Sequence, residues 1–169
     1  MKHPVEDIEY AEYLFDRFYS IGSTENGGVT RLGYTEVEDE MHKAFVELGA
    51  EKGYKSYADE VGNTYLYNED CKEDEDGEYY LIGSHLDSVV EGGRYDGVGG
   101  IITGLLLLEW AKRDGLSIPI RVGAMRCEES SNFGRSTIGS GLITKEVYKH
   151  DIGEAVNREG VTLREIFKK

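Results

Sequence analysis

Residues 79–100 read YYLIGSHLDSVVEGGRYDGVGG. The opening aromatic and aliphatic run, 79–84, has the composition of a strand. It breaks into a polar cluster holding His85 and Asp87, and a Gly-rich segment leads to Asp96. Asp96 stands at the entrance to a nearly uninterrupted apolar stretch, 98–112, of helical length. A helix apolar almost all round is one buried between layers. Further on, IPIRVGAM at 118–125 forms another strand, with Pro119 acceptable only at its start or on an edge. Strand, helix and strand in succession predict a crossover, hence an α/β fold with a partly parallel sheet. In such sheets functional residues collect beyond the carboxyl ends of the strands. His85 and Asp87 follow one such strand, expected to be buried, and Glu128 and Glu129 follow the next.

If the two strands are neighbours, one imidazole and four carboxylates converge at one sheet edge. Those carboxylates would repel and resist ionisation unless a cation lay among them. A His with carboxylates suits zinc, and manganese with less preference. An Asp at a helix start can offer one oxygen to each of two ions, and ion pairs about 3.5–4 Å apart are a familiar hydrolytic device. Asp87, two residues beyond His85, can accept the second imidazole N–H and fix the tautomer. Of the adjacent Glu128 and Glu129, one can ligate while the other serves as general base. His3, His42 and His150 lack such company, and His42 is expected on the exposed face of a helix.

Upstream, Val5, Ile8, Ala11, Leu14, Phe15 and Phe18 recur at helical spacing within 4–21. Thr35-Glu36-Val37-Glu38 has the pattern of a capping box. It opens a second helix, marked by Val37, Met41, Ala44, Phe45 and Leu48 and expected to end near Gly49. Residues 54–58 and 63–68 read as strands joined by a turn at Gly62-Asn63, and a short helix is expected near 145–149. The 169 residues suit one domain with a real core.

The formal net charge is −14, which argues against nonspecific nucleic-acid binding and against docking on an anionic membrane. Much of it is local: residues 69–78, EDCKEDEDGE, hold seven acids and one Lys, as a solvated loop would. The ligand spacing of an EF-hand is missing from that run. The opening MKHPVEDIEY has no apolar stretch behind a basic one, and Ile101–Leu108 is too short to span a membrane. With two cysteines, Cys71 and Cys127, a reduced cytoplasmic protein is the expectation.

Taken together, GSHLDSVVEGGRYDGVGG, then EESSNFG at 128–134 and IGSG at 138–141, resemble the N-carbamoyl-L-amino-acid hydrolases of the hydantoinase/carbamoylase family. GGVTRLGYT at 27–35 and DEVGN at 59–63 carry the same resemblance. These enzymes stand close to allantoate amidohydrolases and more distantly to dinuclear zinc aminoacylases and peptidases. The resemblance implies a three-layer α/β/α catalytic domain of zinc-aminopeptidase type with a mixed, partly parallel sheet. It also implies two divalent metal ions, zinc first and manganese second. His85 then corresponds to the ligand of one ion, Asp96 to the bridging carboxylate and Glu129 to the ligand of the other. Glu128 corresponds to the general base, with Asp87 orienting His85. The implied reaction is hydrolysis of a ureido or amide C–N bond in a small molecule. Ser130 and Asn132 stand where the family often has Gly and Arg, which bears on substrate identity. Family members are about twice as long or more, with a dimerising lid domain and two further His ligands. The chain is therefore expected to correspond to the N-terminal part of an incomplete catalytic domain, inactive or nearly so alone. Allantoate, peptide or N-acyl specificity on the same scaffold, and a non-catalytic remnant that keeps the fold, are the alternatives.

Overall fold

The computed structural model describes residues 5–68, 78–144 and 152–168. Helix α1 is Val5–Tyr19 and α2 is Glu36–Lys52; strands β1, β2 and β3 are Lys55–Ala58, Thr64–Tyr67 and Tyr80–His85. Helix α3 is Val98–Arg113, β4 is Ile120–Met125, α4 is Ile138–Thr144 and α5 is Leu163–Ile166. The helix expected near 145–149 lies outside the described residues, as do His3, Cys71, His150 and all of the acidic run but Glu78. Helix α4 instead occupies IGSGLIT, a Gly-bearing stretch with little helical signal of its own.

The sheet order is β1-β2-β4-β3. β1 pairs with β2 and β2 with β4 antiparallel, whereas β3 and β4 run parallel. The fold is therefore α/β with a mixed, partly parallel sheet, and β3–α3–β4 is its crossover. β3 is not the buried strand that its composition suggests. Among the described residues it lies at the edge of the sheet, with Tyr80 67% and Leu81 51% exposed, and only its last residue, His85, is buried. An apolar run has the same composition on an edge as in the middle; pairing decides which it is.

Helix α2 packs on β1 and β2, α3 on β3 and β4, and α1 on α3. Leu14 and Phe18 of α1, Phe45 of α2, Leu105 of α3 and Leu66 and Val122 of the sheet meet in one core. The opposite sheet face carries Tyr57 stacked on Tyr65, with the Arg121 guanidinium 3.8 Å from the centre of the Tyr79 ring. Among the described residues, helices α2 and α3 thus supply one helical layer of the three-layer arrangement.

Three local expectations change in α2. The helix does not stop near Gly49 but runs on to Lys52, and Gly53 with φ +79° ends it. Gly49 is there for contact, because a Cβ at that point would collide with the Leu66 side chain. Nor does Thr35 form a capping box: its side chain makes no cap bond and donates to the Leu32 carbonyl at 2.7 Å. Glu38 is fully buried, and its carboxylate joins the helix start, through the Tyr34 N–H, to the loop after β4, through the Cys127 N–H. His42, one turn on, is buried rather than exposed, with its Nδ1 2.7 Å from the Thr64 hydroxyl. Burial pushes its pKa well down, so it is a neutral core histidine. Periodicity could not show this, because the polar partners that admit Glu38 and His42 to the buried stripe lie on other elements. The capping box that does form joins Thr162 and Glu165 at the start of α5.

Candidate metal centre

Because β3 and β4 are parallel neighbours, their carboxyl ends coincide, with His85 opposite Met125. The chain leaving β3 carries Asp87, and the chain leaving β4 passes through Arg126 and Cys127 to Glu128 and Glu129. Asp96 comes from the turn that enters α3. Its neighbour Gly97 has φ +67°, and a Cβ there would stand 2.5 Å from the His85 carbonyl oxygen and 2.7 Å from its Nδ1. Only glycine allows that turn to close over the imidazole. As a result His85 Nε2 lies 3.8 Å from Asp96 Oδ1 and 3.7 Å from Glu128 Oε2.

One ligand atom from each of His85, Asp96 and Glu129 lies within 4.8 Å of the others. The five residues singled out from the sequence thus meet at one place. Asp96 is its open member, with a side chain 64% exposed, whereas Asp87 is wholly buried beneath.

His85 Nδ1 is 3.1 Å from the Asp87 carbonyl oxygen and 3.2 Å from its Oδ1. A proton on Nδ1 serves both acceptors and leaves the Nε2 lone pair facing Asp96 and Glu128. Burial works against a charged imidazole. The Asp87 hydrogen bonds and charge, with the Glu128 charge behind them, win and raise the His85 pKa to about 9. Glu129 is pushed up by burial; His85 opposes this, and the Asp96, Glu128 and Asp87 charges add to it. One imidazole nitrogen and mutually repelling carboxylates directed at a common point are a donor set that fits a divalent cation of the zinc or manganese kind.

Sequence reasoning missed how the second strand's loop is held. Asp87 Oδ1 accepts the Glu128 N–H and Oδ2 the Glu129 N–H, each at 3.0 Å. The residue expected to orient His85 therefore also holds the Glu pair. An HxD spacing carries a signal for the first task but none for the second, which needs both strand ends in place.

No family model matches the chain. The N-carbamoyl-L-amino acid amidohydrolase of Geobacillus stearothermophilus is 32% identical over 150 residues, which cover 88% of this chain and 36% of that protein. The allantoate amidohydrolase of Bacillus subtilis is 30% identical over 158 residues, with 92% and 37% covered. A hydantoinase/carbamoylase family amidase from Burkholderia ambifaria superposes with a TM-score of 0.84 at 28% identity, over 95% of this chain and 40% of that one. In sequence and fold the chain is similar to about two fifths of the length of hydantoinase/carbamoylase amidases. It spans under two fifths of the length of the two curated relatives. The stretches that mark the hydantoinase/carbamoylase resemblance, GSHLDS, RYDG and EES, are the ones that converge at the site. No helix among the described residues is long and apolar enough to cross a membrane.

Proposed function

We propose that this chain carries part of the catalytic site of a metal-dependent amidohydrolase. Its substrates would be small ureido compounds, N-carbamoyl-L-amino acids first and allantoate second, in a cytoplasmic setting. One observation carries the reading. His85, Asp96 and Glu129 place their donor atoms at a single point on the carboxyl edge of the sheet, with Glu128 beside them. The names of the relatives above support the substrate class.

In this reading His85, Asp96 and Glu129 would hold the cations, Asp96 with a carboxylate oxygen available to each. When bound, the cations supply Lewis acidity at the substrate carbonyl and make the attacking water more acidic. Glu128 takes the proton from that water and passes it to the leaving nitrogen. Asp87 keeps Nε2 of His85 directed outward and holds the Glu128–Glu129 backbone still. For a carbamoyl substrate, water adds across the C–N bond. The amino acid regains its N–H, and the carbamic acid released falls apart to carbon dioxide and ammonia. Among the described residues three donors would serve two ions, fewer than the usual four for each, so turnover by these 169 residues alone is expected to be low.

Equilibrium dialysis of the chain against zinc or cobalt, with His85→Ala and Asp96→Ala alongside, tests the site. Binding that both substitutions abolish supports it, and binding that survives both refutes it. Parallel hydrolysis assays on an N-carbamoyl amino acid, allantoate, an N-acyl amino acid and a dipeptide then separate the specificities.

A further inference from the structure

The segment that delivers Glu128 and Glu129 is clamped along both edges. Four successive N–H groups donate to side chains from three other parts of the chain. Arg126 N–H goes to Asn63 Oδ1 and Cys127 N–H to Glu38 Oε1, each at 2.8 Å. The next two go to Asp87. Along the other edge, the Arg126, Cys127 and Glu128 carbonyls accept from Gly139, Ile138 and Thr137 at 3.0, 3.0 and 2.7 Å. Cys127 itself sits at φ +48°, a left-handed conformation that a non-glycine residue adopts only when its surroundings impose it.

Glu38 is the remote member of this clamp. It belongs to α2, 89 residues away in sequence from Cys127, and touches none of the proposed ligands. Its Oε2 accepts from Tyr34 N–H at 2.6 Å and from Arg126 Nη1 at 2.9 Å. Burial lifts its pKa to about 7 against the pull of Arg126. The carboxylate form suits the geometry, because three donors lie within hydrogen-bond distance of its two oxygens, while His42 Nε2 stands off at 4.0 Å from Oε1.

We infer that Glu38 is a positioning residue for the metal site. By tying Cys127 N–H to α2, it sets where Glu128 and Glu129 stand relative to His85 and Asp96. The inference rests on the reading of that cluster as a metal site.

The test uses 15N-labelled chain with Glu38→Gln and Glu38→Asp. Gln keeps the shape but points an NH2 at a backbone N–H whichever way it turns. Asp keeps the charge beside Arg126, and with it the fold, but is one methylene too short to reach Cys127. Amide exchange of Cys127, Glu128 and Glu129 is expected to quicken about tenfold or more, with Ile101 and Leu105 of α3 unchanged. Cobalt affinity is expected to fall roughly 10-fold or more, as it does when partners behind metal ligands are lost. Asp39→Asn, which alters an exposed carboxylate on the same Arg126, should leave both readouts alone. Unchanged exchange at 127–129 would overturn the inference. So would a loss of protection spread equally through α3, or faster exchange at 127–129 with undiminished cobalt binding. If the wild-type chain binds no cobalt, the metal reading fails, and the exchange pattern still decides whether Glu38 holds the loop.

Discussion

Replacing Asp87 by Asn changes one atom and strikes three interactions. In the native chain Oδ1 accepts the Glu128 N–H and lies 3.2 Å from His85 Nδ1, while Oδ2 accepts the Glu129 N–H. An Asn side chain has one acceptor, so its NH2 must face a buried backbone N–H. Losing a hydrogen bond to a charged group and leaving a buried donor unpaired together amount to ~2–5 kcal/mol. The substitution also removes the charge that most favours protonated His85. The folded His85 pKa, about 9 against 6.5 unfolded, stabilises the metal-free chain by roughly 3 kcal/mol below pH 6.5. That contribution is lost as pH rises from 6.5 through 9, because folding must then take up a proton that becomes scarcer with each pH unit. Urea unfolding of the metal-free chain from pH 6 to 9.5, with NMR titration of His85, measures both effects. Wild type should lose stability across that window, and Asp87→Asn should start lower and fall less steeply, most clearly once the pH is well above the Glu38 pKa of about 7. Equal pH slopes, or a difference at pH 6 under ~1 kcal/mol, would refute the reasoning that Asp87 acts as a buried carboxylate on His85 and the Glu pair.

Metal binding must displace the His85 proton, so cobalt affinity should rise by up to about tenfold per pH unit and level off near pH 9, as isothermal titration at stepped pH would show. Glu128→Gln should cut hydrolysis of an N-carbamoyl amino acid by about 10²–10⁴-fold, in whatever preparation shows turnover, with metal content by emission spectroscopy unchanged. Gly97→Ala forces a strained φ and drives a methyl group into His85; it should weaken cobalt binding and cost ~1–3 kcal/mol in urea. Gly49→Ala should cost a similar ~1–3 kcal/mol by overpacking Leu66, but leave metal affinity as it was.

Much of this site was legible because its parts are local. The break from YYLIG to HLDS, the glycines before Asp96 and the doubled Glu after IRVGAM each mark a strand or helix end by composition. Parallel pairing of β3 and β4 then follows from the helix between them. Glu38 and His42 were misread for the opposite reason. Helical periodicity sorts residues by hydrophobicity, and a polar residue enters the buried stripe only if a partner waits there. The partners of Glu38 include a backbone N–H beyond β4 and the side chain of Arg126, beside the nearby Tyr34 N–H; that of His42 is the Thr64 hydroxyl. The edge position of β3 was equally invisible, since pairing is not a property of a strand's own composition.

By itself, the sequence determined the α/β class, the crossover through α3, and the five residues that converge at the sheet edge. Spacing and element ends are short-range properties, written in residues a few positions apart. The tertiary structure alone decided how those residues are held. It gave Asp87 to two strand ends at once, closed Gly97 over His85, and brought a buried Glu38 from α2 under Cys127. A buried carboxylate is tolerated only where directed donors replace the water it lost, and here those donors stand up to 89 residues away along the chain.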